Sequence, residues 1–271
     1  MSTETIGPFE ETASRRGVVW RLYRPTTPVS FLPFDGMGIF EGDIVLGPTI
    51  ELERRYLEYA ENADDQETSS TEASAKIINR ATQIAMGNVD PRWPGGRVPY
   101  VIDPVLPVPI RVRDAIQHWE MHTHVRFPRQ SSEPDYIVFT RAAGCASSIG
   151  RQGGPQLVYI SDAATHGNIM HEIGHVLGLW HEHSRERRDD FIQIDLSNVI
   201  EEFHLNFDQK IADGDDFGDY DYDSIMHYPE DAFAKDPARR TIHVPDGRKI
   251  GQRDHLSAGD IAAVKSMYPP D

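Results

Sequence analysis

Cysteine is nearly absent from this sequence: Cys145 is the only one in 271 residues. A single thiol forms no intrachain disulfide and builds no thiolate cluster, so any bound metal must be held by histidine and carboxylate. Long apolar runs are missing as well. No window approaches the ~18 consecutive apolar residues that a membrane span needs. The first twenty residues, MSTETIGPFEETASRRGVVW, lack the basic-then-apolar layout of a signal peptide. Positive charge is scarce: 43 Asp and Glu against 27 Lys and Arg give a formal charge of −16. Such a surface repels phosphate backbones and argues against nucleic acid as a partner. There is no internal repeat. What is there is the composition of a globular protein, 39% hydrophobic, long enough for one large domain or two of ordinary size.

Residues 1–48 are rich in Pro, Gly and aromatics with short β-like runs such as Gly17–Tyr23, and Thr49–Tyr59 carries apolar and aromatic residues at helical spacing. The simplest expectation is a small, weakly packed N-terminal unit. Between Glu61 and Lys76 the chain is acidic, rich in Ser and Thr, and without a large apolar residue, which is the composition of a solvated linker open to proteases. Beyond it come a turn at Pro94-Gly95-Gly96, a strand candidate at Val98–Ile102 and an amphipathic helix candidate at Ile110–His122. Strand candidates at Tyr136–Thr140 and Leu157–Ser161 precede a long helix over a histidine-rich segment, an order that predicts an α+β domain.

That segment, residues 171–185, reads HEIGHVLGLWHEHSR. On a helix His171 and His175 lie at i and i+4, so both imidazoles project from one face and can share one small cation. Glu172 then faces a metal-bound water without being a ligand. Zn²⁺ suits imidazole nitrogen, and a catalytic zinc keeps one position for water. In an unbroken helix His181 would lie about 15 Å along the axis from His171, at ~1.5 Å per residue. Gly178 removes the difficulty, because glycine commonly ends a helix in a left-handed turn that can send His181 back to the metal. In a chain of this length the full pattern H-E-x-x-H-x-x-G-x-x-H arises by chance on the order of once in ten thousand. The competing readings are ordinary helix histidines and a structural zinc, which would have no use for Glu172.

The extended motif, followed by Glu182 and by SIMHY at Ser224–Tyr228, resembles the astacin family of metzincin peptidases. The likeness continues through Arg185–Ile194, Asn198-Val199, Asn206-Phe207-Asp208 and Gln252–Tyr268, and upstream through WPGGRVPYV at Trp93–Val101, covering about residues 80–269. It implies a two-lobed catalytic domain over 80–271, with a twisted mixed sheet and active-site helix above the cleft and an irregular C-terminal lobe below. A small prosegment over 1–79 precedes it, ending in the acidic linker at 61–76. By the same resemblance Met226 forms the Met-turn floor beneath the zinc, and Tyr228 is a mobile fifth ligand that turns to the oxyanion. Glu182 meets the mature N-terminus, and Cys145, Ala146, Ser147 and Ser148 form the edge strand that pairs with substrate. FEGD at Phe40–Asp43 is similar to the F-x-G-D motif of astacin propeptides, which makes Asp43 the inhibitory ligand in place of water.

The function so implied is a zinc endopeptidase, one Zn²⁺ per chain, made as a latent precursor. Its substrates are proteins or peptides, it is a monomer, and an activating protease cuts near Arg80–Ala85, with Lys76 and Arg80 as trypsin-type points. An extracellular setting follows from the family alone. The alternative is a catalytically silent, zinc-stabilised binding module.

The sequence also departs from the family, which typically carries two disulfides. Only Cys145 is retained, and Ala163 stands about where its partner would be. Cys145 is read as an ordinary thiol rather than a thiol switch on the zinc. His166, His183, His204 and His227 are expected to be neutral, at the surface or hydrogen-bonded. Asp213–Asp223 (DGDDFGDYDYD) lacks calcium-loop spacing and reads as a polar loop, and Arg185–Arg188 as a solvated charged face.

Overall fold

The structure, a computed structural model, describes residues 15–19, 27–34, 36–55, 91–209 and 216–270. The linker at 61–76 and the region Arg80–Ala85 lie outside the described residues, as do residues 20–23 and 56–59 of the two N-terminal element candidates.

Among the described residues eight strands form one sheet. In chain order they are β1 (Arg15–Val19), β2 (Thr27–Phe34), β3 (Met37–Phe40), β4 (Ile44–Pro48), β5 (Tyr100–Ile102), β6 (Tyr136–Ala142), β7 (Ala146–Ser147) and β8 (Pro155–Ser161). Their order across the sheet is β1-β2-β3-β4-β7-β8-β6-β5. The strands β5, β6 and β8 are parallel, β7 runs antiparallel to β8, and β1 to β4 form an antiparallel meander. The two halves meet where β4 pairs in parallel with β7 through Ile44 and Ser147. The mixed sheet with helices is the α+β architecture that the element order predicts.

Residues 49–55 form the helix α1. Helix α2 occupies Ile110–His122, the predicted bounds, and buries Val112, Ala115, Ile116 and Trp119 at i, i+3, i+4 and i+7. The strand expected at Val98 begins only at Tyr100, because Pro99 has no N–H to give to a ladder.

Helix α3 (His166–Leu177) starts at a capping box in which Thr165 and Asn168 satisfy each other's backbone N–H groups. Its terminal carbonyls, which have no partner within the helix, are taken by other segments: Gly150 N–H bonds His175 O at 2.8 Å, Trp93 Nε1 bonds Val176 O at 2.9 Å and the Tyr268 hydroxyl bonds Leu177 O at 2.9 Å. Trp119 Nε1 reaches Met170 O at 3.0 Å, tying α2 to α3. These bonds lock the helix to α2 and to the segments that surround its C-terminal end.

Helix α4 (Ala258–Met267) completes the upper core through Val264 and Tyr268. Below it, Ile192, Val199, Phe203, Phe207, Tyr228, Phe233 and Ile242 form a second core among short 3-10 turns and the ribbon of β9 (Gln193–Ile194) with β10 (Ile242–His243).

The N-terminal unit is packed more tightly than its composition suggests. Phe31, Ile39, Ile44 and Leu52 are each 2% exposed or less. Gly38 allows this, since a Cβ there would lie 2.4 Å from Leu52 and 2.8 Å from Phe31. Ile39 and Val45 also join Ala146 and Tyr159 in a small shared core, so the unit is built onto the sheet.

Candidate metal centre

Helix α3 ends at Gly178, whose φ of +109° lies in the left-handed region, and its N–H returns to Gly174 O and His175 O. The turn sends the chain back, so His181 meets His171 and His175. Their ring centroids lie 4.8 Å apart for His171 and His175, 5.4 Å for His171 and His181, and 4.7 Å for His175 and His181.

A fourth group comes from the other half of the sheet. Phe40 and Ile44 pair across a three-residue turn, Glu41-Gly42-Asp43, with φ of +49° at Glu41 and +82° at Gly42. The turn carries the Asp43 carboxylate to 3.1 Å from His171 Nε2, 3.6 Å from His175 Nε2 and 3.1 Å from His181 Nε2. All four residues are buried, and they form a group that can hold a metal ion.

The outer nitrogens settle the tautomers. His171 Nδ1 lies 2.8 Å from Ile225 O, and His175 Nδ1 lies 2.8 Å from Leu179 O. A carbonyl only accepts, so each Nδ1 carries the proton and each Nε2 lone pair points inward. His181 Nδ1 bonds the Glu41 carboxylate at 2.8 Å in the same sense.

These residues fit zinc. In a tetrahedron with bonds of about 2.0–2.1 Å, ligand atoms sit roughly 3.3 Å apart, which the three Asp43 distances bracket. His175 Nε2, Asp43 Oδ1 and Glu172 Oε2 are buried and make no hydrogen bond. Buried polar atoms are seldom left so, and one cation at the centre satisfies the first two.

Electrostatics point the same way. Burial raises the Asp43 carboxyl, but the His181 charge and the close approach of the three imidazoles hold it well below the usual range. Burial lowers His181, yet Asp43 and Glu41 overcome this and hold it at about 9. Burial, then Arg253, depress His171 to about 3. The proton on His181 balances carboxylate charge that a divalent cation would balance instead. Glu172 is pushed well above its ordinary value by burial and by Asp43.

Met226 is 2% exposed and lies against Gly174, where a Cβ would stand 2.5 Å from its sulfur. Its segment is fixed by Asp260 of α4, which accepts from the Ser224 hydroxyl at 2.7 Å, Ile225 N–H at 2.9 Å and Ser257 N–H at 2.9 Å. Tyr228 is fully buried, donates its hydroxyl to Glu41 O, and stacks on His183 at 3.8 Å between centroids.

Glu182 accepts from Asp221 N–H at 2.7 Å and Arg185 at 3.0 Å, and burial raises its carboxyl to about 7. Ala146 and Ser147 form β7, flanked by Cys145 and Ser148; Ser147 N–H is given to Asp43 O at 2.8 Å, and its hydroxyl to Glu172 O at 2.9 Å.

Other readings change. Arg185 and Arg188 do not form a solvated face. Arg185 bonds Glu182 and the carbonyls of Phe217, Gly218 and Asp219, and Arg188 is buried and bonds the carbonyls of His183 and Phe207. Short-range composition does not reveal that these loops fold over the guanidinium groups. His183 and His227 are buried and held neutral by burial, while His204 bonds Val199 O at 3.1 Å and His166 is exposed.

Two residues at the centre escape the motif reading. Glu41 lies inside FEGD at a position that the motif leaves open. Half-buried Arg253 stands far along the chain, and its charge acts on His171, Glu172, Tyr228 and Asp43.

Similarity to known proteins agrees with this geometry. The profile of the Astacin peptidase family matches residues 85–269. Tolloid-like protein 1 of Homo sapiens is 40% identical over 203 residues, 70% of this chain and 20% of that protein. The zinc metalloproteinase nas-30 of Caenorhabditis elegans is 40% identical over 163 residues, 58% of this chain and 22% of that protein. The chain thus spans about a fifth of the length of these relatives. Among solved structures, high choriolytic enzyme 1, a hatching enzyme zinc-protease from Oryzias latipes, aligns with a TM-score of 0.61 and 32% identity over 66% of this chain and 94% of that one. A profile match over most of the chain and a 32%-identical structure covered almost end to end place this chain in the astacin family of zinc metalloendopeptidases.

Proposed function

We propose that the chain is a zinc endopeptidase acting on proteins or peptides, held latent by its own residues 1–79. One zinc per chain is held by His171, His175, His181 and, in the latent state, Asp43. The observation that carries this reading is the Asp43 carboxylate, 3.1 to 3.6 Å from all three inward imidazole nitrogens, in the position a catalytic zinc keeps for water.

Zinc, when bound, supplies a Lewis acid that acidifies a water and polarises the scissile carbonyl. Once the prosegment has left, Glu172 takes the proton of the attacking water and delivers it to the leaving nitrogen. The Tyr228 hydroxyl, released by Glu41 O, donates to the carbonyl oxygen as charge develops there. The Ser147 N–H, released by Asp43 O, pairs with the substrate backbone, the edge strand comprising Cys145 to Ser148. The Arg253 charge acts on Asp43 and Glu172 in the latent chain, and with Asp43 gone it favours substrates with a carboxylate beside the scissile bond. Cleavage near Arg80–Ala85 by another protease creates a mature N-terminus that reaches Glu182. The active protein is a monomer, and an extracellular setting rests on family likeness alone.

The test is to treat the purified chain with trypsin and follow cleavage of an unstructured protein, with and without a zinc chelator and in Glu172→Ala. Activity appears after trypsin and is lost with the chelator and the variant. Turnover that persists in either case rejects the mechanism, and a trypsin-treated wild type that binds zinc without turnover favours the silent binding module.

A further inference from the structure

Asp43 is not the deepest prosegment contact at the site. Glu41 is 0% exposed and grips two catalytic groups at once: its carboxylate takes the Nδ1 proton of His181 at 2.8 Å, and its carbonyl takes the Tyr228 hydroxyl. His181 is the one metal-facing imidazole whose outer nitrogen meets a carboxylate; the Nδ1 protons of His171 and His175 go to carbonyls of the catalytic domain itself. The backbone of Glu41 is held at φ +49°, in the left-handed region that non-glycine residues rarely occupy. Such a conformation persists where surrounding contacts over-determine it, and these two contacts belong to the catalytic machinery.

We propose that Glu41 is a second latch, a positioning residue that acts through His181 and Tyr228 rather than on the metal. The carboxylate makes His181 a stronger donor, so zinc is held more firmly in the latent chain than in the mature one. The carbonyl keeps the Tyr228 phenol from any substrate oxygen. Latency then has two parts, with Asp43 filling the water position and Glu41 immobilising the groups on either side. This rests on the latent-precursor reading above and extends it.

The test uses uncleaved, zinc-loaded chains: wild type, Glu41→Gln, Glu41→Gly and Asp43→Ala. Zinc loss to a chromophoric chelator and turnover of a peptide are measured before and after trypsin. Both Glu41 variants should lose zinc about tenfold or more faster than wild type, the usual scale for a lost partner of a ligating histidine. Their uncleaved turnover should lie between wild type and Asp43→Ala, and trypsin should make all four alike. Glu41 variants that match wild type while uncleaved Asp43→Ala is active overturn the second latch and leave latency standing. An uncleaved wild type that turns over as fast as the trypsin-treated one overturns both. A measurement on wild type alone guards against variants that do not fold. The His181 Nδ1 proton should resonate downfield of those of His171 and His175 and move upfield when the prosegment is removed; its absence from the uncleaved chain overturns the proposal.

Discussion

Gly42→Ala should release the catalytic site without touching a catalytic residue. Gly42 sits at φ +82°, and a Cβ built on it lies 2.6 Å from Phe233 Cζ. An L-residue in that backbone region costs roughly 1–2 kcal/mol. The contact is about 1 Å inside ordinary carbon separation, and overpacking of this kind costs about 1–3 kcal/mol. Phe233 has little room to give: it is 5% exposed, its own φ is +53°, and its ring packs on Phe203, Phe207 and Tyr228. The sum, about 2 kcal/mol at the least, falls on the turn that carries Asp43. At 1.4 kcal/mol per tenfold, the open fraction of the uncleaved chain rises about 30-fold or more. The assay is peptide hydrolysis by protein kept intact with a trypsin inhibitor and checked by mass, compared with the rate after full activation. Basal turnover within about threefold of wild type, with the activated rates equal, would refute this account of how the turn holds Asp43.

Replacing Arg253 by Ala should lower kcat/KM for a peptide with Asp beside the scissile bond about tenfold more than for its Ala counterpart, the scale of a lost charge-assisted contact; equal losses would show that Arg253 does not read that side chain. Gly174→Ala brings a Cβ to 2.5 Å from the Met226 sulfur, so thermal unfolding should show a loss of about 1–3 kcal/mol together with weakened zinc retention; an unchanged melting temperature would mean that the Met226 segment yields freely. The Cys145 thiol is raised to about 12 by burial and then by Glu172, so the thiolate that reacts is scarce at pH 8. Disulfide reagents should leave the folded chain unmodified for hours and label it within minutes in denaturant. Labelling of the native protein at the denatured rate would contradict the burial.

Much of the site can be read directly because its geometry is local. The i, i+4 spacing of His171 and His175 and the break at Gly178 follow from helix arithmetic, and α2 is bounded by its apolar repeat. Asp260 is also within reach: Ser257-Ala258-Gly259-Asp260 spells a capping box, although nothing in that spelling says that the carboxylate also holds Ser224 and Ile225. Arg253 is not legible, since its link to Glu172 depends on Gly167, where a Cβ would fall 1.6 Å from Arg253 O and force the two segments apart. The strands β3 and β4 escape the pattern because they are short and contain Gly38 and Gly47, which blur any alternation. The internal bonds of Arg185 and Arg188 escape it because their partners are backbone carbonyls, which every sequence carries equally.

The join between β4 and β7 also bears on how the chain is made. A strand at the rim of a sheet offers unpaired N–H and C=O groups to any neighbour, and this hazard is greatest while a protein is concentrated and newly folded. With Ser147 N–H given to Asp43 O, that rim of the catalytic half is paired within the folded chain. On the latent-precursor reading proposed above, the segment that silences the enzyme is also a cover against self-association, and its removal should increase the tendency to aggregate at the same moment that it confers activity.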